Sequence, residues 1–139
     1  MVLVLLYDRF KSEKELEKII KGEYTSLGPV KTSGHYIMFA LYDRADPQVC
    51  RVSDFMEHVL EANHVCGVLY DITIKGLSRL DQLYDVPRIR DRQLICLEDH
   101  KQAFAYITNK TGSGIDEARL WQLKTIKSGD WVFPKHITV

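Results

Sequence analysis

The 139-residue sequence has no excess of either charge: nineteen lysines and arginines face nineteen aspartates and glutamates. Net attraction to nucleic acid or to an anionic membrane is therefore not expected, although a local patch is still allowed. Long apolar runs are missing too. The first, Val2 to Leu6, is far short of the roughly 20 residues a spanning helix needs, and it lacks a charged leader or a small-residue cleavage site. The expectation is a cytoplasmic protein without a membrane segment. Cysteine is scarce: Cys50, Cys66 and Cys96 are odd in number, widely spaced and set among apolar residues, as free buried thiols are and a disulfide framework is not. The five histidines, His35, His58, His64, His100 and His136, form no pair at metal-ligand spacing, and no cysteine stands near one at zinc-finger spacing, so no metal is expected. A glycine-rich phosphate loop is absent as well. Gly112 and Gly114 lie in a polar loop without the lysine that would touch phosphate, and no cofactor is implied. Asn109-Lys110-Thr111 matches a glycan acceptor, a chance match in a chain read as cytoplasmic.

What is present is ordinary for a globular protein: 45% hydrophobic and 27% charged residues, which argues against long disorder or a fibrous repeat. The length fits one domain spanning residues 1–139, since single domains run to roughly 100 to 200 residues. Val2 to Leu6 reads as a buried first strand running into Tyr7-Asp8-Arg9-Phe10. A helix follows, with Ser12 and Glu15 as a capping box, Leu16, Ile19 and Ile20 as its apolar stripe and Gly22 as its terminator. Gly28-Pro29 and Ser33-Gly34 mark a connector, "HYIMFALY" (35–42) a second strand and "DRADP" a turn. Residues 53–62 fit either a helix or two short strands. "HVCGVLYDIT" (64–73) is strand-like, "GLSRLDQL" (76–83) has the leucine spacing of a short helix, and "RQLICLE" with "QAFAYIT" forms a hairpin around "DHK". "IDEARLWQLKTI" (115–126) has helical periods, and the tail "DWVFPKHITV" is apolar enough to dock on the body. Strands and helices mix irregularly, the pattern of α+β or of a small barrel with helices on its outside, and not of a regular βαβ series.

Leu-Tyr-Asp occurs four times, starting at residues 6, 41, 69 and 83, without a fixed period; it reads as a strand end where tyrosine packs and aspartate meets water. Cys66, two residues after His64, is the one thiol with a candidate activating neighbour, and a core pair is the favoured explanation. Arg88, Arg90 and Arg92 alternate, so in an extended segment they share one side and could grip a carboxylate or phosphate; Asp85 and Asp91 stand beside them as neutralising partners. No aromatic residues interleave with this row to stack bases, so nucleic acid is not the expected partner.

Taken in order, these segments resemble the gamma-glutamylcyclotransferase-like superfamily, including its gamma-glutamylamine branch. The family opens with a strand ending in Tyr-Gly-Ser/Thr-Leu, and "LLYDRF" stands there. A Gly-aromatic-x-apolar strand followed by proline is similar to "GHYIMFALYDRADP", and a Gly-Val-x-Tyr-x-apolar-Thr strand to "GVLYDIT". "LSRLD" resembles the family's short helix with apolar-Asp, "RDRQLICL" its aromatic-x-Arg strand and "AFAYI" its Ala-x-apolar-Tyr-apolar strand. The resemblance implies an α+β fold, a small mixed β-barrel with flanking helices.

Members of that family cyclise a gamma-glutamyl group: the α-amine attacks the γ-amide carbonyl and 5-oxoproline is released with a free amine. A glutamate after Leu-Asp is the general base, and backbone amides of the Tyr-Gly-Ser loop hold the α-carboxylate. Laid on this sequence without gaps, Leu80-Asp81, Pro87 and Arg92 match, the glutamate's place falls on Tyr84 and the glycine's on Asp8. A tyrosine, with an ordinary pKa of about 10, is a poor base near neutral pH. An acid at position 8 repels a substrate carboxylate.

Three readings follow from the resemblance. In one, the fold persists without the standard cyclisation and a reshaped pocket binds a small anionic ligand or a protein partner. In another, the chain is an active cyclotransferase on a gamma-glutamyl ligand, with Asp85 or Asp81 as displaced acid–base group and Arg9 or Arg90 holding the anion. In the third, the surface engages a macromolecule. The candidate catalytic residues are Asp85, Tyr84 and Asp81; the candidate binding residues are Tyr7, Asp8, Arg9, Phe10 and Arg90.

Overall fold

In a computed structural model, residues 2–40, 46–51, 64–108, 124–126 and 128–131 are described. Five strands form the main sheet, in the order β2-β5-β1-β7-β6: β1 is Val2–Leu6, β2 Tyr24–Lys31, β5 Cys66–Ile72, β6 Arg90–Cys96 and β7 Gln102–Thr108. A second sheet has the order β4-β3-β8, with β3 Tyr36–Ala40, β4 Gln48–Arg51 and β8 Lys124–Thr125. Helix α1 is Glu13–Ile20 and helix α2 is Ile74–Leu83, and a single tight turn, Arg9–Lys11, leads into α1.

The central strand shows how the sequence generates two cores. Successive side chains of a strand point to opposite faces. From β1, Leu5 and the following Tyr7 enter one cluster with Tyr36, Met38, Val49, Ile95 and Trp131, between the two sheets. Val4 and Leu6 enter the other with Tyr70, Ile72 and Tyr106. The helices cover that second face: α1 contributes Leu16 and Ile20, α2 Leu77 and Leu80. A continuous apolar run is thus the signature of a strand buried on both sides.

Strand pairing is mixed. β1 lies antiparallel to β5, with Leu6 opposite Val68, and parallel to β7, with Val4 opposite Phe104. The edge strands β2 and β6 bend toward each other and meet at one bridge, Thr32 to Leu97, flanked by Ser33 N–H to Cys96 O at 3.0 Å and Glu98 N–H to Lys31 O at 2.9 Å. Among the described residues no longer ladder joins them. The expected barrel is therefore a curled sheet, closed at one end by this bridge and not all the way round.

Three sequence expectations change. The connector around Gly28-Pro29 is an eight-residue strand, β2. Its register against β5 shifts between Ser26 and Gly28, and Gly28 has a φ of +98°. Proline and glycine here mark an edge strand with a bulge, where a missing N–H and a left-handed residue are tolerated. Lys124 and Thr125, placed by periodicity in a helix, pair with Ala40 and Phe39 as β8; pairing across the second sheet overrides the local pattern. Ser12 is the N-cap of α1, yet its side chain makes no capping hydrogen bond. The segment 53–62, residues 115–123 and the tail beyond Trp131 lie outside the described residues, as do most of the "DRADP" turn and Asn109. Asp130 and Trp131 are described, and Trp131 is 1% exposed in the core between the sheets. No helix among the described residues is long and apolar enough to cross a membrane.

Candidate functional site

The chain crosses from β1 into its first turn at Tyr7-Asp8, and from α2 into the connection to β6 at Tyr84-Asp85. Asp8 is the N-cap of the turn Arg9–Lys11, its Oδ1 accepting from Phe10 N–H at 3.0 Å. Tyr84 is the C-cap of α2. These two ends meet: the Tyr84 hydroxyl donates to Asp8 Oδ2 at 2.5 Å, across 76 positions of sequence. Both residues are buried, Asp8 at 3% and Tyr84 at 6% exposure. The positions that the resemblance assigns to the glycine and the glutamate are thus in direct contact.

Arg90 completes the cluster. Its guanidinium carbon lies 5.1 Å from the centre of the Tyr84 ring, a cation–π contact. In the aromatic-x-Arg landmark Arg92 is the matched arginine, which puts Arg90 at the aromatic's place. Three departures from the family pattern therefore touch one another. The Tyr84 ring also stacks on Tyr106 at 4.3 Å and meets Phe10 edge-on at 6.3 Å.

Burial governs the electrostatics. The Asp8 carboxyl is pushed up to about 6, chiefly by desolvation, with the hydrogen bonds from Tyr84 and Phe10 pulling it back, Asp46 raising it and Arg90 lowering it. Burial also raises Tyr84 well above its ordinary value, and the neighbouring Asp8 adds to this. Tyr7 is raised mainly by burial and donates its hydroxyl to Tyr106 O at 2.5 Å. Neither tyrosine is a base at neutral pH. Each is a fixed donor.

The other candidates are engaged elsewhere. Asp81 accepts from Tyr106 Oη at 2.8 Å and from Arg92 Nη1 at 2.5 Å, which ties α2 to β6 and β7. Asp85 sits outside the cluster with a φ of +58°, its side chain 45% exposed and paired with Arg88. Arg9 makes a two-pronged pair with Asp46, Nε and Nη2 each at 2.7 Å. Phe10 is buried in the helix-side core. The arginine row therefore separates into Arg88 paired with Asp85, Arg92 paired with Asp81, and Arg90, which has no ion pair among the described residues. Sequence reading named every member of the cluster; that Asp8, not Asp81 or Asp85, is the acid beside Tyr84 follows from the contact between two loops far apart in sequence.

Removing the Tyr84 hydroxyl tests the pair. Tyr84→Phe leaves a buried carboxylate with one fewer donor, and a loss of about 1 to 3 kcal/mol is expected at pH 7.5. At pH 4, where Asp8 is protonated, the loss should be smaller. Urea unfolding at both pH values measures it.

A separate open groove of about 910 Å³ lies along β2, β5 and the end of β6, with Val30, Cys66 and Leu97 in its wall and Lys11, Lys31 and Asp130 beside them. None of the candidate site residues lines it. Lys11 is paired there with Asp130 at 2.6 Å. Burial raises the Cys66 thiol, and Asp130 adds to this; His64 Nδ1 donates to Thr32 O at 2.7 Å, so the structure shows no His64–Cys66 pair. The three cysteines form no disulfide, with Cys50 buried and Cys66 and Cys96 only partly so. Among the described residues no group of three or more histidine, cysteine, aspartate or glutamate side chains is arranged to hold a metal ion.

By sequence, no family model and no curated protein matches the chain. Solved structures do. An AIG2-like protein from Mus musculus superposes with a TM-score of 0.72 at 19% identity, over 99% of this chain and 93% of that one. A uropathogenic E. coli-specific protein superposes at 0.66, with 16% identity over 94% and 91% of the two chains. Allophanate hydrolase from Kluyveromyces lactis superposes at 0.65 with 18% identity, over 96% of this chain and 20% of that one. With the curled mixed sheet, the two helices on its outer face and the order of the landmarks, these likenesses show that the chain has the gamma-glutamylcyclotransferase-like fold.

Proposed function

We propose that this protein keeps the gamma-glutamylcyclotransferase-like fold without the family's cyclisation, and that it binds a small anionic ligand at the cluster formed by Asp8, Tyr84 and Arg90. The contact between Tyr84 and Asp8 carries this reading. In the family's reaction a carboxylate moves a proton between the attacking and the leaving amine, and backbone amides opposite hold the substrate. Here a weakly acidic phenol takes the carboxylate's place, a carboxylate takes the glycine's place, and the two close on each other. Arg90, stacked on Tyr84 and without an ion pair among the described residues, supplies the positive charge for an anion. A protein partner at the same position is the weaker form of the reading, because the cluster's aromatic surface is buried.

A second reading has one observation in its favour. Asp8 is a buried carboxyl that desolvation pushes up to about 6, a range suited to proton transfer near neutral pH. An active enzyme would then use Asp8, and not the exposed, paired Asp85, as its displaced acid–base group.

Incubation with gamma-glutamyl amines and gamma-glutamyl peptides, assayed for 5-oxoproline, separates the two. No product is expected from the native chain. Release of 5-oxoproline that disappears in Asp8→Asn would replace the first reading by the second. The double variant Asp8→Gly, Tyr84→Glu opens the closed contact and restores the family's residues, and any product it forms identifies these two positions as the block.

A further inference from the structure

We propose that Arg90 is the receptor for a small monocarboxylate, bound through the guanidinium nitrogens other than Nε, and that Asp8 takes up one proton as the anion arrives. The inference rests on the anion-binding reading above and adds a ligand class and a proton. Among the described residues, four arginines lie on or beside the two loops, and three are already neutralised, Arg9 by Asp46, Arg88 by Asp85 and Arg92 by Asp81. Arg90 has no such ionic partner among the described residues; its Nε is buried without a hydrogen-bond acceptor, and its side chain also hydrogen-bonds the Tyr7 hydroxyl. The Tyr84 ring covers the guanidinium at 5.1 Å. A guanidinium held against an aromatic ring keeps its fork of N–H donors in one plane, which matches a carboxylate two bonds at a time.

The charge count selects the anion. Among the described residues, the groups facing Asp8 are Tyr7 from β1, Arg9 from the turn after it, Asp46 ahead of β4, Tyr70 from β5, Tyr84 from the end of α2 and Arg90 from β6. The three tyrosines are neutral at physiological pH, being raised above their ordinary values. Arg9 and Asp46 cancel as a pair. What is left is the Asp8 carboxyl and the Arg90 cation. With Asp8 ionised the two sum to zero, and an incoming anion meets a buried negative charge. With Asp8 protonated they sum to one positive charge, which a monoanion neutralises and a dianion overshoots, leaving an uncompensated charge in a poorly solvated place. Tyr84 stays hydrogen-bonded to Asp8 in either state, since a phenol both donates and accepts.

The sign of the pH dependence follows from linkage. The anion favours protonated Asp8, so binding takes up a proton and weakens as pH rises above about 6, approaching tenfold per pH unit while the bound form keeps its proton. Below that range the affinity levels off.

Nitrogen-15 NMR titration of the full chain with acetate at pH 5.5, 6.5 and 7.5 tests this, because the Arg90 Nε–H gives its own signal. That signal is expected to shift on addition of acetate, with the half-saturating concentration rising several-fold from pH 5.5 to 7.5. Asp8→Asn should bind acetate with the same affinity at all three values. Arg90→Gln should lose the response, and Arg90→Lys, which keeps the charge without the fork, should weaken it if the glutamine variant fails to fold. Inorganic phosphate at pH 7.5, largely a dianion, should bind more weakly than acetate. Acetate binding that survives Arg90→Gln, or a wild-type affinity equal at pH 5.5 and 7.5, would overturn this inference and leave the broader anion reading standing. The absence of any response to either anion would overturn both.

Discussion

Asp8→Asn is expected to make the folded protein more stable at pH 7.5, by about 1 to 3 kcal/mol, and to leave its stability at pH 4 nearly unchanged. Burial raises the Asp8 carboxyl from 3.8 to about 6. At about 1.4 kcal/mol per pH unit, ionising it in the folded state costs on the order of 3 kcal/mol more than in the unfolded chain. Because the folded-state value lies above the unfolded one, this group's contribution is fully present below about pH 4, is lost as pH rises toward 6, and does not return at higher pH. Asparagine has the same shape and no charge. Its carbonyl can accept from Phe10 N–H, as Asp8 Oδ1 does at 3.0 Å, and its amide can donate to the Tyr84 oxygen. The Tyr84 proton then needs a new acceptor, so the expected gain is smaller than the full ionisation cost. Urea unfolding of both proteins at the two pH values measures the difference. A variant no more stable than wild type at pH 7.5 would mean that the carboxylate is held without strain. A residue whose removal stabilises the fold is characteristic of a functional position, where chemistry and stability pull in opposite directions.

Trp131→Ala is expected to cost about 3 to 5 kcal/mol, the range for emptying a buried indole site. Folded domains have only about 5 to 15 kcal/mol in total, so this variant should lose much of its margin. Trp131 is 1% exposed and packs with Leu5, Tyr7, Met38, Val65 and Ile95 between the two sheets. Just before it, the Gly129 carbonyl accepts from Cys66 N–H at 2.8 Å, and the Trp131 carbonyl accepts from Lys11 Nζ. These backbone bonds, with the indole packed in the core beside them, hold residues 129–131 to β5 and to the turn after β1. The urea midpoint should fall sharply, and Trp131→Phe should recover part of it. A loss under about 1 kcal/mol would show that the indole is not a core element. Because Tyr7 belongs to the same core cluster, the alanine variant should also loosen the Tyr7 hydrogen bond to Tyr106.

The sequence by itself determined the elements whose residues answer to local rules. Val2 to Leu6 reads as a buried strand, and the structure buries it on both faces. The leucine spacing of residues 76–83 marked α2, and the structure extends it back to Ile74 behind a Thr73 cap whose side chain accepts from Gly76 N–H at 3.1 Å. The hairpin of β6 and β7 was equally plain. The ordered landmarks from "LLYDRF" to "AFAYI" were enough to indicate the fold, and through it the positions at which the family's residues had been replaced. Tertiary structure decided the rest. It made a strand of a Gly-Pro segment, because an edge strand tolerates what a central one does not. It drew Lys124 and Thr125 into a sheet against their helical periodicity. It brought Asp8 and Tyr84 to 2.5 Å, although each is only a strand end or a helix end in its own segment. It paired Asp85 with Arg88 in solvent and Asp81 with Arg92, leaving Arg90 over the ring of Tyr84. Local sequence specifies which backbone conformation a residue prefers. Which carboxylate is buried, and which arginine lacks an ion pair among the described residues, depends on distances between segments that only the packed chain fixes.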